Sequence, residues 1–91
     1  MTKKIMFRDI AKIQHLYMGI FEEEDSDYVD YRVVRNKERA VYRILDKYTS
    51  DPKEQKKIYD IIASGSWNTE DYTFKTICNH IRELGYEVIE G

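Results

Sequence analysis

The side chains able to do covalent or metal chemistry in this 91-residue chain are few: one cysteine, Cys78, and two histidines, His15 and His80. Cys78 and His80 stand two apart, and on a helix that spacing turns them about 200° from each other, so they form neither a nucleophile and base nor two ligands of one metal. A zinc site needs three or four convergent ligands, which these residues do not supply. Asp25 and Asp27 resemble the opening of a calcium loop, but Val29 takes the place of its third side-chain oxygen, Asp30 that of its glycine and Asn36 that of its bidentate glutamate. The carboxylates between 22 and 30 include pairs, yet clustered, solvated acids lack the burial that would raise the pKa of one for proton transfer. Glycines at 19, 65, 85 and 91 form no phosphate-cradling loop. The expectation is a non-catalytic protein with no metal and no cofactor.

Charge is the feature that is organised. The chain carries 15 Lys plus Arg against 17 Asp plus Glu, but the signs are sorted along it. Residues 1–19 hold four cations and one anion, residues 20–31 six anions, residues 32–57 nine cations and four anions, and residues 58–91 two cations and six anions. Arg35, Arg39, Arg43 and Lys47 recur every four residues, which on a helix makes a basic ridge about 18 Å long that Arg32 extends. Lys4, Arg8 and Lys12 make a second row of the same spacing, roughly continued by His15. The acidic run Glu22, Glu23, Glu24, Asp25, Asp27 and Asp30 encloses Tyr28 and Tyr31. Most of the eight tyrosines suit the margin of a small core, with a polar tip at the surface; Tyr28 and Tyr31, embedded in charge, are expected to be exposed.

The elements that must carry these groups are mainly helical. Met6, Ile10, Ile13, Tyr17 and Ile20 recur at threes and fours, predicting a helix over 5–24 that stops where Glu22 to Asp25 put negative charge at its C-terminus. Residues 28–34 alternate Val29, Tyr31 and Val33 with Asp30 and Arg32, which favours a short strand; a helix capped by Asp27 or Asp30 is the rival. Val41, Ile44, Leu45 and Tyr48 predict a helix over 37–48, ended by Thr49-Ser50-Asp51-Pro52, and a third helix, with Ile58, Ile61 and Ile62 inward, runs from Pro52 to about Ser64. Ser64-Gly65-Ser66 reads as a turn. Asn68 or Thr69 then caps a fourth helix with Glu70 and Asp71 in its first turn and Phe74, Ile77, Cys78, Ile81 and Leu84 on its apolar face, stopped by Gly85. Residues 86–90 alternate like a strand able to pair with 28–34. The fold class is thus mainly α, a small single-domain bundle of about four helices over 1–91 with room for a short two-stranded β element.

No stretch without a formal charge, 13–21 included, exceeds nine residues, against the roughly 20 a membrane span needs, so no membrane association is expected. Arg8, Asp9 and Lys12 interrupt what would be the apolar part of a signal peptide, and a lone cysteine suits a reducing compartment, so a cytoplasmic location is expected.

Two binding readings follow. In the first, Glu22, Glu23, Glu24, Asp25, Asp27, Tyr28, Asp30 and Tyr31 dock on a basic nucleic-acid-binding protein, carboxylates standing where phosphates would and tyrosines filling pockets. In size and local charge the chain is similar to small acidic inhibitors encoded by phages and mobile elements, anti-CRISPR proteins among them, which implies an inhibitory or regulatory role. In the second, the run Phe74-Lys75-Thr76-Ile77-Cys78-Asn79-His80-Ile81-Arg82-Glu83-Leu84-Gly85-Tyr86-Glu87-Val88 resembles the recognition helix and wing entry of winged helix-turn-helix domains of the biotin-repressor type. That resemblance implies a DNA-binding regulator with Lys75, Thr76 and Asn79 at the major groove and Arg35, Arg39, Arg43 and Lys47 on the backbone. The helix that would read bases carries a net charge of about −1, an unusual sign for a DNA contact.

Overall fold

The computed structural model of the chain describes residues 3–66 and 73–90. Its elements are β1 (Lys3–Met6), α1 (Phe7–Glu24), α2 (Tyr31–Leu45), α3 (Pro52–Ser66), α4 (Thr73–Glu83) and β2 (Tyr86–Ile89). The mainly helical class with a short two-stranded sheet is the expected one, and the expected strand after Gly85 forms as β2, but its partner is a different strand. β1 and β2 pair in parallel, Lys3 opposite Tyr86 and Met6 opposite Ile89. Ile5 and Met6 therefore leave the predicted helix. Their spacing satisfies a helix, but the returning β2 backbone needs a hydrogen-bonded neighbour, and a parallel one is available only across a long crossover, here all four helices.

The predicted strand over 28–34 does not form, and with it goes the predicted pairing to 86–90. Asp30 instead caps α2, its Oδ1 accepting from the Arg32 backbone N–H at 3.0 Å. Val34, Val41 and Leu45, spaced by seven and four, are buried on one face of α2, and burying that face outweighs the local alternation of 29–33. α2 ends at Leu45, earlier than expected, and residues 46–48 form a turn. Asp51 caps α3 through the Lys53 N–H at 3.0 Å, with Pro52 in the first helical position.

Ser64-Gly65-Ser66 is the last part of α3 rather than a turn. Gly65 is there for close approach: a Cβ at that position would lie 2.2 Å from Ile77 Cγ1 of α4. The expected cap at Asn68 or Thr69 and the acidic first turn of Glu70 and Asp71 lie outside the described residues. At the other end of α4, Gly85 has φ of 110°, the left-handed stop that lets the chain turn directly into β2.

Ile5, Ile10, Ile13, Val41, Leu45, Ile58, Ile62, Ile77, Ile81 and Tyr86 meet in one buried cluster drawn from every element. α1 is its spine, packing against α2, α3 and α4. Because only residues 25–30 join α1 to α2, the two helices form an antiparallel hairpin, and the C-terminal half of α2 returns alongside the N-terminal half of α1.

Candidate interaction surfaces

The acidic segment occupies the closed end of the hairpin. Asp25 follows the last turn of α1, its N–H donating to the Phe21 carbonyl at 3.0 Å. Ser26 Oγ lies 2.8 Å from the Glu23 carbonyl and 3.0 Å from that of Tyr28, so its proton is shared across the turn. The Asp30 N–H donates to Glu23 Oε1 at 2.9 Å. Glu23 and Asp30 thus fold the loop on itself, and Arg32 sits 3.7 Å from Asp30. The other acids, Glu22, Glu24, Asp25 and Asp27, are exposed and make no ion pair with a described residue. Tyr28 projects from this turn with 92% of its surface exposed, and Tyr31 with 65%.

At the open end of the hairpin the two cationic rows of the sequence meet. A groove of about 1010 Å³ is lined by half-buried Ala11, Leu16, Ala40 and Ile44 together with Phe7. The same groove is lined by exposed Arg8, Lys12 and His15 of α1 and by Arg43 and Lys47 from and just beyond α2. Lys47 is committed inward. Its Nζ lies 2.9 Å from Oδ2 of Asp9, which is only 2% exposed. The Tyr48 hydroxyl also donates to Asp9 and accepts from the Met6 N–H at 3.3 Å, tying the β1–α1 junction to the end of α2. Burial alone would raise the Asp9 carboxyl, but the bonds from Tyr48 and Lys47, with Arg8 nearby, outweigh it and hold it below the ordinary carboxylate range. Arg8, Lys12 and Arg43 make no ion pair with a described residue.

The remaining nominated residues are dispersed around these two surfaces. Arg35 and Arg39 are exposed on α2 beyond the groove lining. Lys75 and Asn79 are exposed on α4 and Thr76 is half-buried. Asn79 Oδ1 already accepts from Arg82 Nη1 at 2.9 Å. Lys75, Arg82, Cys78 and Glu90 share a smaller depression of about 330 Å³ with Phe7, so Phe7 separates the α4 cations from those of the hairpin. Among the described residues the strand that follows α4, β2, pairs with the N-terminal strand β1.

Cys78 is buried, and burial pushes its thiol pKa up, away from a reactive thiolate. His80 Nδ1 lies 3.2 Å from Glu83 on the exposed side of α4. Tyr59, stacked on Tyr42 at 6.0 Å and edge-on to Tyr17 at 5.9 Å, is pushed up to about 12 by burial and by Glu38 beside it. Among the described residues no group of three or more His, Cys, Asp or Glu is placed to hold a metal ion, and no helix is long and apolar enough to cross a membrane.

No protein-family model, curated protein or solved structure matches the chain.

The sequence brought out the acidic segment and the α2 ridge but not the groove. Arg8, Lys12 and His15 were legible as a row, and Phe7, Ala11, Leu16, Ala40 and Ile44 carried no signal of their own. A helix beginning at Asp30 would have been the clue, since the short connection it leaves makes α1 and α2 antiparallel neighbours.

Proposed function

We propose that the chain is a non-catalytic binding domain, regulatory or inhibitory in role, whose acidic hairpin end docks on the basic surface of a nucleic-acid-binding protein. The observation that carries this reading is Tyr28: a large side chain 92% exposed on a turn that its neighbours brace by hydrogen bonds. A rigid amphipathic anchor held in solvent loses little conformational freedom on docking. Glu22, Glu24, Asp25 and Asp27 around it are not consumed within the fold and would steer the encounter with a cationic partner.

Affinity capture from the native host at low and high salt, with and without nuclease, tests this. Wild-type protein should retain a basic protein that high salt and the change of Glu22, Glu24 and Asp27 to Lys both release, while nuclease leaves it bound. Capture untouched by the charge reversal would refute the reading. The winged-helix reading draws support from the cations on both sides of Phe7, but the pairing of β2 with β1 and the bond between Asn79 and Arg82 make it the weaker one. Duplex affinity that survives Arg39→Glu with Arg43→Glu would remove it.

A further inference from the structure

The groove at the open end of the hairpin is a second surface, separate from the acidic end. We infer that it receives an acidic amphipathic helix of a partner protein, its apolar stripe on Leu16, Ala40 and Ile44 and its carboxylates on Arg8, Lys12 and Arg43. Three features select this occupant. The lining holds no carboxylate, and its exposed Arg8, Lys12 and Arg43 make no ion pair with a described residue, so a neutral or basic occupant would desolvate them uncompensated whereas an acidic one pairs them. The apolar half of the lining offers no donor to a phosphate, which sets the groove apart from a surface that tracks a nucleic-acid backbone. All ten lining residues belong to α1, α2 and the turn after α2, so no sheet edge is present to pair with an extended peptide, and a segment that satisfies its own backbone fits. From Phe7 to Leu16 the α1 side spans about 14 Å, the length of two to three helical turns.

The test uses the full chain and a fluorescent peptide of about 14 residues, long enough for the groove, with leucines at helical spacing on one face and glutamates on the other. A twin with lysines for the glutamates and a short DNA duplex serve as comparison probes. Anisotropy should show saturable, salt-sensitive binding of the acidic peptide, with methyl NMR shifts at Leu16, Ala40 and Ile44, and no binding of the twin. Lys12→Glu with Arg43→Glu should weaken it by about tenfold or more, as loss of two complementary charges does. Ala40→Phe should weaken it by filling the groove while every charge stays. Changing Glu22, Glu24 and Asp27 to Lys should leave it intact, which separates this surface from the one proposed above. Equal binding of the lysine twin, shifts confined to other methyls, indifference to Ala40→Phe, absence of binding by the acidic peptide, or its displacement by duplex DNA would each overturn the assignment.

Discussion

The two ends of the α1–α2 hairpin carry opposite charge and are held in opposite ways. At the closed end the bonds are local: Ser26 to Glu23 and Tyr28, Asp30 to Glu23, Arg32 to Asp30, all within ten residues of one another in sequence. At the open end the decisive contacts cross from α1 to the end of α2, where buried Asp9 takes both Tyr48 and Lys47. The closed end is a self-contained turn whose outward charges are spare. The open end uses one of its cations to hold the fold and leaves Arg8, Lys12 and Arg43 without an ion pair to a described residue. A charged surface can therefore be read for binding only after the charges that serve stability have been subtracted.

The contrast predicts very different responses to substitution. Asp9→Ala leaves the part-buried Tyr48 hydroxyl without its acceptor and removes the charge-assisted bond from Lys47, and should lower unfolding free energy by about 2–3 kcal/mol in a urea titration. Tyr48→Phe, which keeps the Lys47 pair, should lose nearer 1 kcal/mol. An Asp9→Ala loss no larger than that of an exposed residue would break the comparison.

The same contact sets an acid limb. The Asp9 carboxyl, and that of Glu54 held down mainly by Lys3 and also by Tyr86 and Thr49 against its own burial, sit below their ordinary values in the fold. A depressed carboxylate stabilises the native state above its unfolded pKa, and that stability is lost as pH falls through the folded one, hence below about pH 4. Asp9→Asn should flatten the stability profile over that acid range; an unchanged slope would show that Asp9 is not the group responsible.

At the closed end the effects are smaller. Asp30→Ala removes the α2 cap and should cost about 1 kcal/mol, read as a lowered thermal midpoint. Changing Glu22, Glu24 and Asp27 to Lys should move stability by no more than about 0.5 kcal/mol while removing salt-sensitive partner capture. A large stability change in that triple variant would mean these acids are structural after all.

The fold was legible wherever the apolar period was unopposed. α1 beyond Phe7, α3 and α4 follow from Ile10 and Ile13, Ile58 and Ile62, and Ile77 and Ile81, each buried as the spacing requires. Two local patterns misled. Ile5 and Met6 continue the helical spacing of α1 but are taken by β2, whose claim on them arises from a partner some 80 residues distant. Val29, Tyr31 and Val33 alternate like a strand, yet the longer period of Val34, Val41 and Leu45 carries the burial. Exposure of Tyr28 and Tyr31 was readable because acids on both sides exclude them from a core.

The sequence by itself determined the helical content, the sorting of charge into blocks and the outward placement of the acidic tyrosines, because periodicity and solvation of charge act over a few residues. Only the tertiary structure decided that the Arg8, Lys12 and His15 row meets Arg43 and Lys47 across an apolar groove, and that Asp9 pairs with the Lys47 charge there. Which helical faces become neighbours depends on where one loop closes and on which strand claims the chain's first residues, and those contacts form between segments far apart in sequence, beyond the reach of any local pattern.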